Sequence, residues 1–263
     1  MNHIETFLSN HGLSPDFQKH FKPEVSPVVL NMPKDECPDN AVTCDGKKYD
    51  GCCVPETGKL IFSQFWDKEQ PINAFTIHGL WPKRCCKKDL ATNNYRNSKI
   101  EEDDAKTAVY LDSNFGKQME TYWPTVGRNR WAYQWKKHGI MLSTVKSRCY
   151  SNDKEVDEMM RYFKVTLSLY TQYDIMQELS THGINPGSEY TLSEFHAAIP
   201  KWSKGVSLYC KEGELTEIRF SLDGRPNHQF SLRENRPSPE EEADTNNKCK
   251  EKFYFPKKAE KKD

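Results

Sequence analysis

The stretch Phe75-Thr76-Ile77-His78-Gly79-Leu80-Trp81-Pro82 decides how this chain is read, because it runs a strand-like series of β-branched and aromatic residues into a histidine, a glycine and a tryptophan. About sixty residues further on, Trp135-Lys136-Lys137-His138-Gly139 sets a second histidine before a second glycine. Both imidazoles titrate near neutrality, and metal-free cleavage of RNA needs such a pair. One accepts the proton of a ribose 2′-OH while the other protonates the departing 5′-oxygen. Each glycine is expected to leave room for close approach of a ligand.

The surroundings of both motifs are basic. Between Gly127 and His138 stand Arg128, Arg130, Lys136 and Lys137 with no acidic residue, and Lys83, Arg84, Lys87 and Lys88 follow the first motif. The 38 Lys and Arg are balanced by 38 Asp and Glu, so the chain as a whole has no bulk attraction for a polyanion. The local excess favours a phosphate site. No group of Asp and Glu accompanies either histidine, which argues against a DNA nuclease or a metal-dependent phosphatase. His3, His11, His20, His182, His196 and His228 lack such neighbours and are read as structural.

At 263 residues with 12% aromatics the chain can bury one substantial core. Residues 1–36 are polar and proline-punctuated, an N-terminal extension; residues 37–256 form the domain; residues 257–263 are a basic tail expected to be disordered. Residues 59–66 and 72–77 read as strands, which puts His78 at the end of a central strand. Helical spacing covers 110–122 and 129–138, and in the second stretch Tyr133, Gln134, Lys137 and His138 share one face. A long helix over 156–180 carries Met159, Tyr162, Phe163, Leu167 and Tyr170 as a core stripe. Thr191 and Glu194 make a capping box that starts a helix through Ile199. Strands follow near 205–210 and 215–222, then a solvated loop over 233–247. There is no internal repeat and no run of eighteen apolar residues.

Nine cysteines (37, 44, 52, 53, 85, 86, 149, 210 and 249) lie mostly in loop-like sequence, which reads as a disulfide framework with one thiol left over. Zinc is the weaker reading, because the adjacent pairs at 52–53 and 85–86 lack Cys-x-x-Cys spacing. The cysteines point to a secreted or vacuolar/lysosomal protein. The first residues show neither a basic n-region nor a long apolar stretch, and there is no Asn-x-Ser/Thr sequon.

In these motifs and its cysteines the chain resembles the ribonuclease T2 family, specifically its fungal members, over residues 37–256. The residues that carry the resemblance are Gln64-Phe65-Trp66, Phe75 to Pro82, Tyr122-Trp123, Trp135 to Gly139, Cys149, Tyr190-Thr191-Leu192 and Glu217-Ile218. The resemblance implies an α+β fold, a twisted antiparallel sheet with helices packed on one side and a cleft between the histidine motifs. It implies His78 as general acid, His138 as general base and Lys137 as the cation facing the pentacoordinate phosphorane. Trp81 would stack on the first base and Gln64 would contact the second.

The second motif departs from the family's His-Glu-Trp-x-Lys-His-Gly-Thr-Cys. Gln134 stands at the carboxylate, Tyr133 at an auxiliary phosphate-binding histidine and Met141 at the cysteine. Arg130 falls where a phenylalanine stacks on the second base, and Lys83 where an acidic residue helps select the first, so base preference is not carried over. The resemblance implies the bridges Cys37–Cys52, Cys44–Cys85, Cys53–Cys149 and Cys210–Cys249. The family's fifth bridge is absent at both ends, and Cys86 is left free or available to another chain.

The expected activity is cleavage of single-stranded RNA, not DNA, to 2′,3′-cyclic phosphate ends, by a monomer away from any membrane, with no cofactor and no metal. The altered second motif would slow it. A non-catalytic descendant that binds RNA or a protein partner is the alternative.

Overall fold

The computed structural model describes residues 37–70, 72–85, 98–125, 130–150, 154–233 and 247–259. The expected extension over 1–36, Cys86 and most of the 233–247 loop lie outside these residues. Among the described residues seven strands form one sheet: β1 (Gly58–Phe65), β2 (Thr76–Arg84), β3 (Ser188–Thr191), β4 (Val206–Lys211), β5 (Glu214–Gly224), β6 (Phe230–Leu232) and β7 (Lys252–Phe255). The path is β2-β1-β5-β7-β3, with β4 and β6 also paired to β5. All pairings are antiparallel except the single parallel contact Glu214↔Tyr254 between β5 and β7.

The helices are α1 (Glu102–Tyr110), α2 (Ser113–Tyr122), α3 (Trp131–Lys137), α4 (Glu155–Gln172), α5 (Ile175–Thr181) and α6 (Leu192–Ala198). The aromatic stripe of α4 is core, as its spacing implied: Met159, Tyr162, Phe163 and Leu167 are all fully buried. Helix α4 is tied to the sheet by two buried phenols. Tyr162 donates to the Leu80 carbonyl at 2.9 Å and Tyr170 to that of Phe75 at 2.8 Å.

Alternation along β1 then sorts the sheet's two faces. Phe62 lies against Tyr173 and Phe220 on the core side, whereas Ser63 and Phe65 pair with Arg219 and Glu217 on the other. That second face carries the site.

Several element boundaries differ from the sequence reading. The second strand starts at Thr76 and continues through Pro82, and it lies at one end of the sheet path, so His78 sits inside an outer strand rather than ending a central one. Proline is tolerated on an outer strand because its missing N–H need not serve a second neighbour.

The helix read over 110–122 begins at Ser113, where Asp112 accepts from the Asn114 and Phe115 amides, and a separate helix, α1, precedes it. The helix read over 156–180 breaks at Tyr173, because Asp174 caps a new one through the Gln177 amide. The tail read as disordered from 257 is placed through Ala259: Lys258 donates to the Asp67 carbonyl at 2.8 Å and stands 3.7 Å from the centre of the Trp66 ring.

Candidate active site

His78 owes its position to an irregularity in the sheet. Ser63 pairs with Gly79 and Gln64 with Ile77, which leaves His78 as the extra residue of a bulge. A bulge re-aims a side chain that regular alternation would send elsewhere. The ring stacks on Phe65 at 3.7 Å between centres and meets Trp81 edge-on at 4.7 Å. Its Nδ1 is 3.0 Å from Glu217 Oε1.

Glu217 is itself buried and held from two further directions. Ser63 Oγ donates to Oε1, and Arg219 donates through Nε to Oε1 at 3.0 Å and through Nη2 to Oε2 at 3.1 Å. Burial works against its charge, but the bonds from His78 and Arg219 outweigh it and hold the carboxyl down at about 2. The Arg219 guanidinium lies 3.8 Å from the Tyr209 ring centre and 5.3 Å from that of Trp81.

The second histidine is brought in by α3. That helix has no side-chain cap of its own at Arg130; instead the Glu102 carboxylate of α1 accepts from the Trp131 and Ala132 amides at 3.2 and 2.9 Å. Trp131 and Trp135 are buried and fix the helix in the core. The helix closes at His138, whose amide donates to the Gln134 carbonyl, and the His138 ring reaches within 5.5 Å of Trp81. One indole therefore contacts both imidazoles. Burial above all, then Lys137, Lys83 and His78, hold the His138 imidazole well below its ordinary range, which favours its neutral form. Lys137 Nζ donates to the Tyr133 hydroxyl at 2.9 Å.

The expected site residues divide accordingly. His78, His138, Lys137, Tyr133 and Trp81 are brought together, and Lys83 is close enough to act on His138. Gln64 is not in the cleft. Its position on the core side of β1 buries it, and its amide donates to the Tyr173 carbonyl at 3.1 Å, so it does not stand where a second base could touch it.

Gln134 is likewise a packing residue. It is buried, and its Oε1 faces the Trp81 Nε1 at 3.4 Å over Gly79. Arg130 is exposed at the start of α3, on the opposite end of that helix from His138.

Protein packing by itself requires the two glycines. A Cβ on Gly79 would strike Gln134 and Trp81, and one on Gly139 would fall 2.6 Å from Trp135 and 2.7 Å from Tyr162. Close packing explains both.

Sequence reasoning left Glu217 and Arg219 without a role. Their i, i+2 spacing on a strand, a carboxylate and a guanidinium facing the same way, was the available signal. A cavity of about 270 Å³ is lined by Phe65, Trp66, Asp67, Gln70, Thr76, Pro124 and Thr216.

The bridges are Cys37–Cys53, Cys44–Cys85, Cys52–Cys149 and Cys210–Cys249. The expected partners of Cys52 and Cys53 are thus exchanged. Ser143 donates to the Gly51 carbonyl at 2.7 Å and accepts from the Glu56 amide at 2.9 Å, which docks the 51–56 turn on the segment that ends at Cys149. Cys52, next to the anchored Gly51, meets that segment, and Cys53 is left for Cys37.

The α+β fold thus brings two imidazoles against one indole, with a lysine acting on the second, and this is the class of arrangement that acid–base chemistry uses. The comparisons with known proteins give the family. The ribonuclease T2 family model matches residues 41–252, and the chain belongs to that family.

Ribonuclease Rh of Rhizopus niveus is 32% identical over 197 residues, covering 72% of this chain and 83% of that protein. Ribonuclease Trv of Hypocrea rufa is 29% identical over 235 residues, covering 84% and 98%. The fold is shared with the crystal structure of Actibind, a T2 ribonuclease, at a TM-score of 0.68 and 23% identity, covering 86% of this chain and 99% of that one.

Proposed function

We propose that this chain is an endoribonuclease that cuts single-stranded RNA by transphosphorylation. The observation that carries the reading is the shared contact of His78 and His138 with Trp81, beside Lys137. The 2′-OH gives its proton to neutral His138 as its oxygen attacks phosphorus. The bond from phosphorus to the 5′-oxygen breaks, and that oxygen takes a proton from His78, leaving a 2′,3′-cyclic phosphate. Lys137 offsets the charge that builds on the non-bridging oxygens.

DNA lacks the attacking hydroxyl and is not a substrate. Trp81 offers a ring on which a flanking base can stack. With Gln134 for a carboxylate and Tyr133 for an imidazole, turnover is slower than the two retained histidines would otherwise give. Four disulfides support an oxidising compartment, extracellular or vacuolar.

The test is cleavage of a fluorescent single-stranded RNA in chelator between about pH 4 and 8, beside His78→Ala and His138→Ala. Activity lost in each variant, with cyclic-phosphate ends from the unaltered protein, supports the reading. Cleavage no greater than that of the double variant, with RNA binding intact, replaces it with a second one: a binding protein whose Lys83 and Lys137 beside His138 attract phosphate.

A further inference from the structure

We infer that Glu217, held by Arg219 and Ser63, is the positioning residue that fixes His78 in the tautomer and orientation needed to protonate the leaving 5′-oxygen. The inference rests on the nuclease reading above and adds a third group to the acid side of the site. It starts from the chemistry of the Nδ1 contact. An ionised carboxylate only accepts hydrogen bonds, so the 3.0 Å contact with Oε1 requires a proton on His78 Nδ1. Nε2 is then the nitrogen left to serve substrate.

The ring cannot easily turn away from this arrangement. Phe65 covers one face at 3.7 Å, Trp81 closes an edge at 4.7 Å and Glu217 holds Nδ1. Glu217 in turn is fixed by a fork from Arg219 and by Ser63 Oγ, and Arg219 is itself seated on the Tyr209 ring. Register explains why these groups meet: Phe65 pairs with Glu217, Ser63 with Arg219, and Tyr209 with Glu217 from the far side. His78 enters the group through its bulge.

The arrangement places a carboxylate behind the acid histidine, whereas the family's second motif places one beside the base histidine. The latter is the position where this chain carries Gln134, an amide turned toward Trp81. The charged and titratable groups around His78 are Glu217 and Arg219 from β5, and His138, whose charge is coupled to that of His78. The nearest carboxylate among them belongs to Glu217.

In the reaction the doubly protonated ring donates through both nitrogens, through Nδ1 to Glu217 and through Nε2 to the leaving oxygen. After transfer, Nδ1 keeps its proton and Nε2 is bare. Glu217 gains and loses nothing, so its effect acts only through His78.

The test compares Glu217→Gln with the unaltered protein on two substrates. One is a dinucleotide, whose 5′-alkoxide must be protonated as it leaves. The other is a uridine 3′-aryl phosphate, whose aryloxide leaves without help. The expected result is a loss of about 10²-fold in kcat on the dinucleotide with KM moved less than about threefold, and a loss of less than about threefold on the aryl ester. Equal loss on both substrates, while His138→Ala still abolishes ester cleavage, overturns the inference and leaves the nuclease reading intact.

Failure of the unaltered protein to cleave either substrate overturns both. A readout that needs no folded variant is ¹⁵N spectroscopy of the imidazole in the unaltered protein. Neutral His78 protonated at Nδ1 is expected, and a proton on Nε2 overturns the inference.

Discussion

Lys137 Nζ donates to the hydroxyl of Tyr133, one helical turn back, at 2.9 Å. The phenol is a neutral group that holds the lysine by one hydrogen bond, in the position to which the family resemblance assigns an imidazole. Lys137→Ala is expected to lower kcat by about 10²–10³-fold, as loss of a preorganised charge facing the phosphorane does. Tyr133→Phe keeps the ring but loses that hydrogen bond, and should cost less than about tenfold. Steady-state cleavage of a dinucleotide by each variant checks both; a larger loss in Tyr133→Phe than in Lys137→Ala would show that the phenol itself meets the phosphate.

Gln134 is buried with its carbonyl oxygen 3.4 Å from the Trp81 N–H. A glutamate there can accept the same contact while adding a negative charge close to His138, whose imidazole burial first, and then Lys137 and Lys83, now push toward the neutral form. Gln134→Glu is therefore expected to raise the His138 pKa and to raise kcat severalfold, up to about tenfold. NMR titration of the imidazole together with initial rates measures both. A fall in rate would mean that the amide is the better packing partner and that the family's carboxylate contributes little in this context.

Gly79 sits where any side chain would collide with both Gln134 and Trp81. Gly79→Ala is expected to destabilise the fold by about 1–3 kcal/mol and to push Trp81 off both histidines, with activity falling further than stability explains. Denaturant melts and kcat, taken together, separate the two effects.

The comparison of sequence with structure shows where local pattern suffices. His78, His138, Lys137 and Trp81 were legible because a histidine before glycine, next to tryptophan and lysine, is a local signal. Glu217 was visible as a residue but not as a partner, since the bulge that delivers His78 to it exists only after β1, β2 and β5 pair. Gln64 was misplaced because strand alternation decides which face it takes, and the sequence alone did not tell the cleft face from the core face. The exchange of Cys52 and Cys53 has the same origin: adjacent thiols differ only by direction, and direction is set by the Ser143 contacts 87 residues or more away. Lys258 looked like tail by composition, yet its ammonium finds two carbonyls and an indole.

The acid limb of stability should report on Glu217. Its carboxyl is held at about 2 in the folded state, against an ordinary value of 4.5. Between these values the unfolded chain binds more protons than the folded one, so stability rises with pH across that window. The contribution is complete above about 4.5 and is lost as pH falls toward 2. Urea melts from pH 6 to 2 are expected to show a shallower fall in Glu217→Gln than in the unaltered protein. Parallel slopes would mean that the carboxylate is not ionised through its bonds to Arg219 and His78.

The two bridges of the 52–53 pair should differ in how much they stabilise. Cys52–Cys149 closes 97 residues and ties the N-terminal turn to the segment after His138, while Cys37–Cys53 closes 16. In the chain-entropy account, stabilisation grows as 1.5RT times the logarithm of loop length, which favours the longer loop by about 1.6 kcal/mol. The paired variant Cys52→Ala/Cys149→Ala is therefore expected to lower Tm more than Cys37→Ala/Cys53→Ala. It should also lower activity more, because it frees the segment that follows His138. The pairing itself is read by sequencing the disulfide-linked peptides with cleavage between Cys52 and Cys53. Recovery of Cys37 with Cys52 would return the connectivity to the one implied by the family resemblance and remove the ground for this ranking.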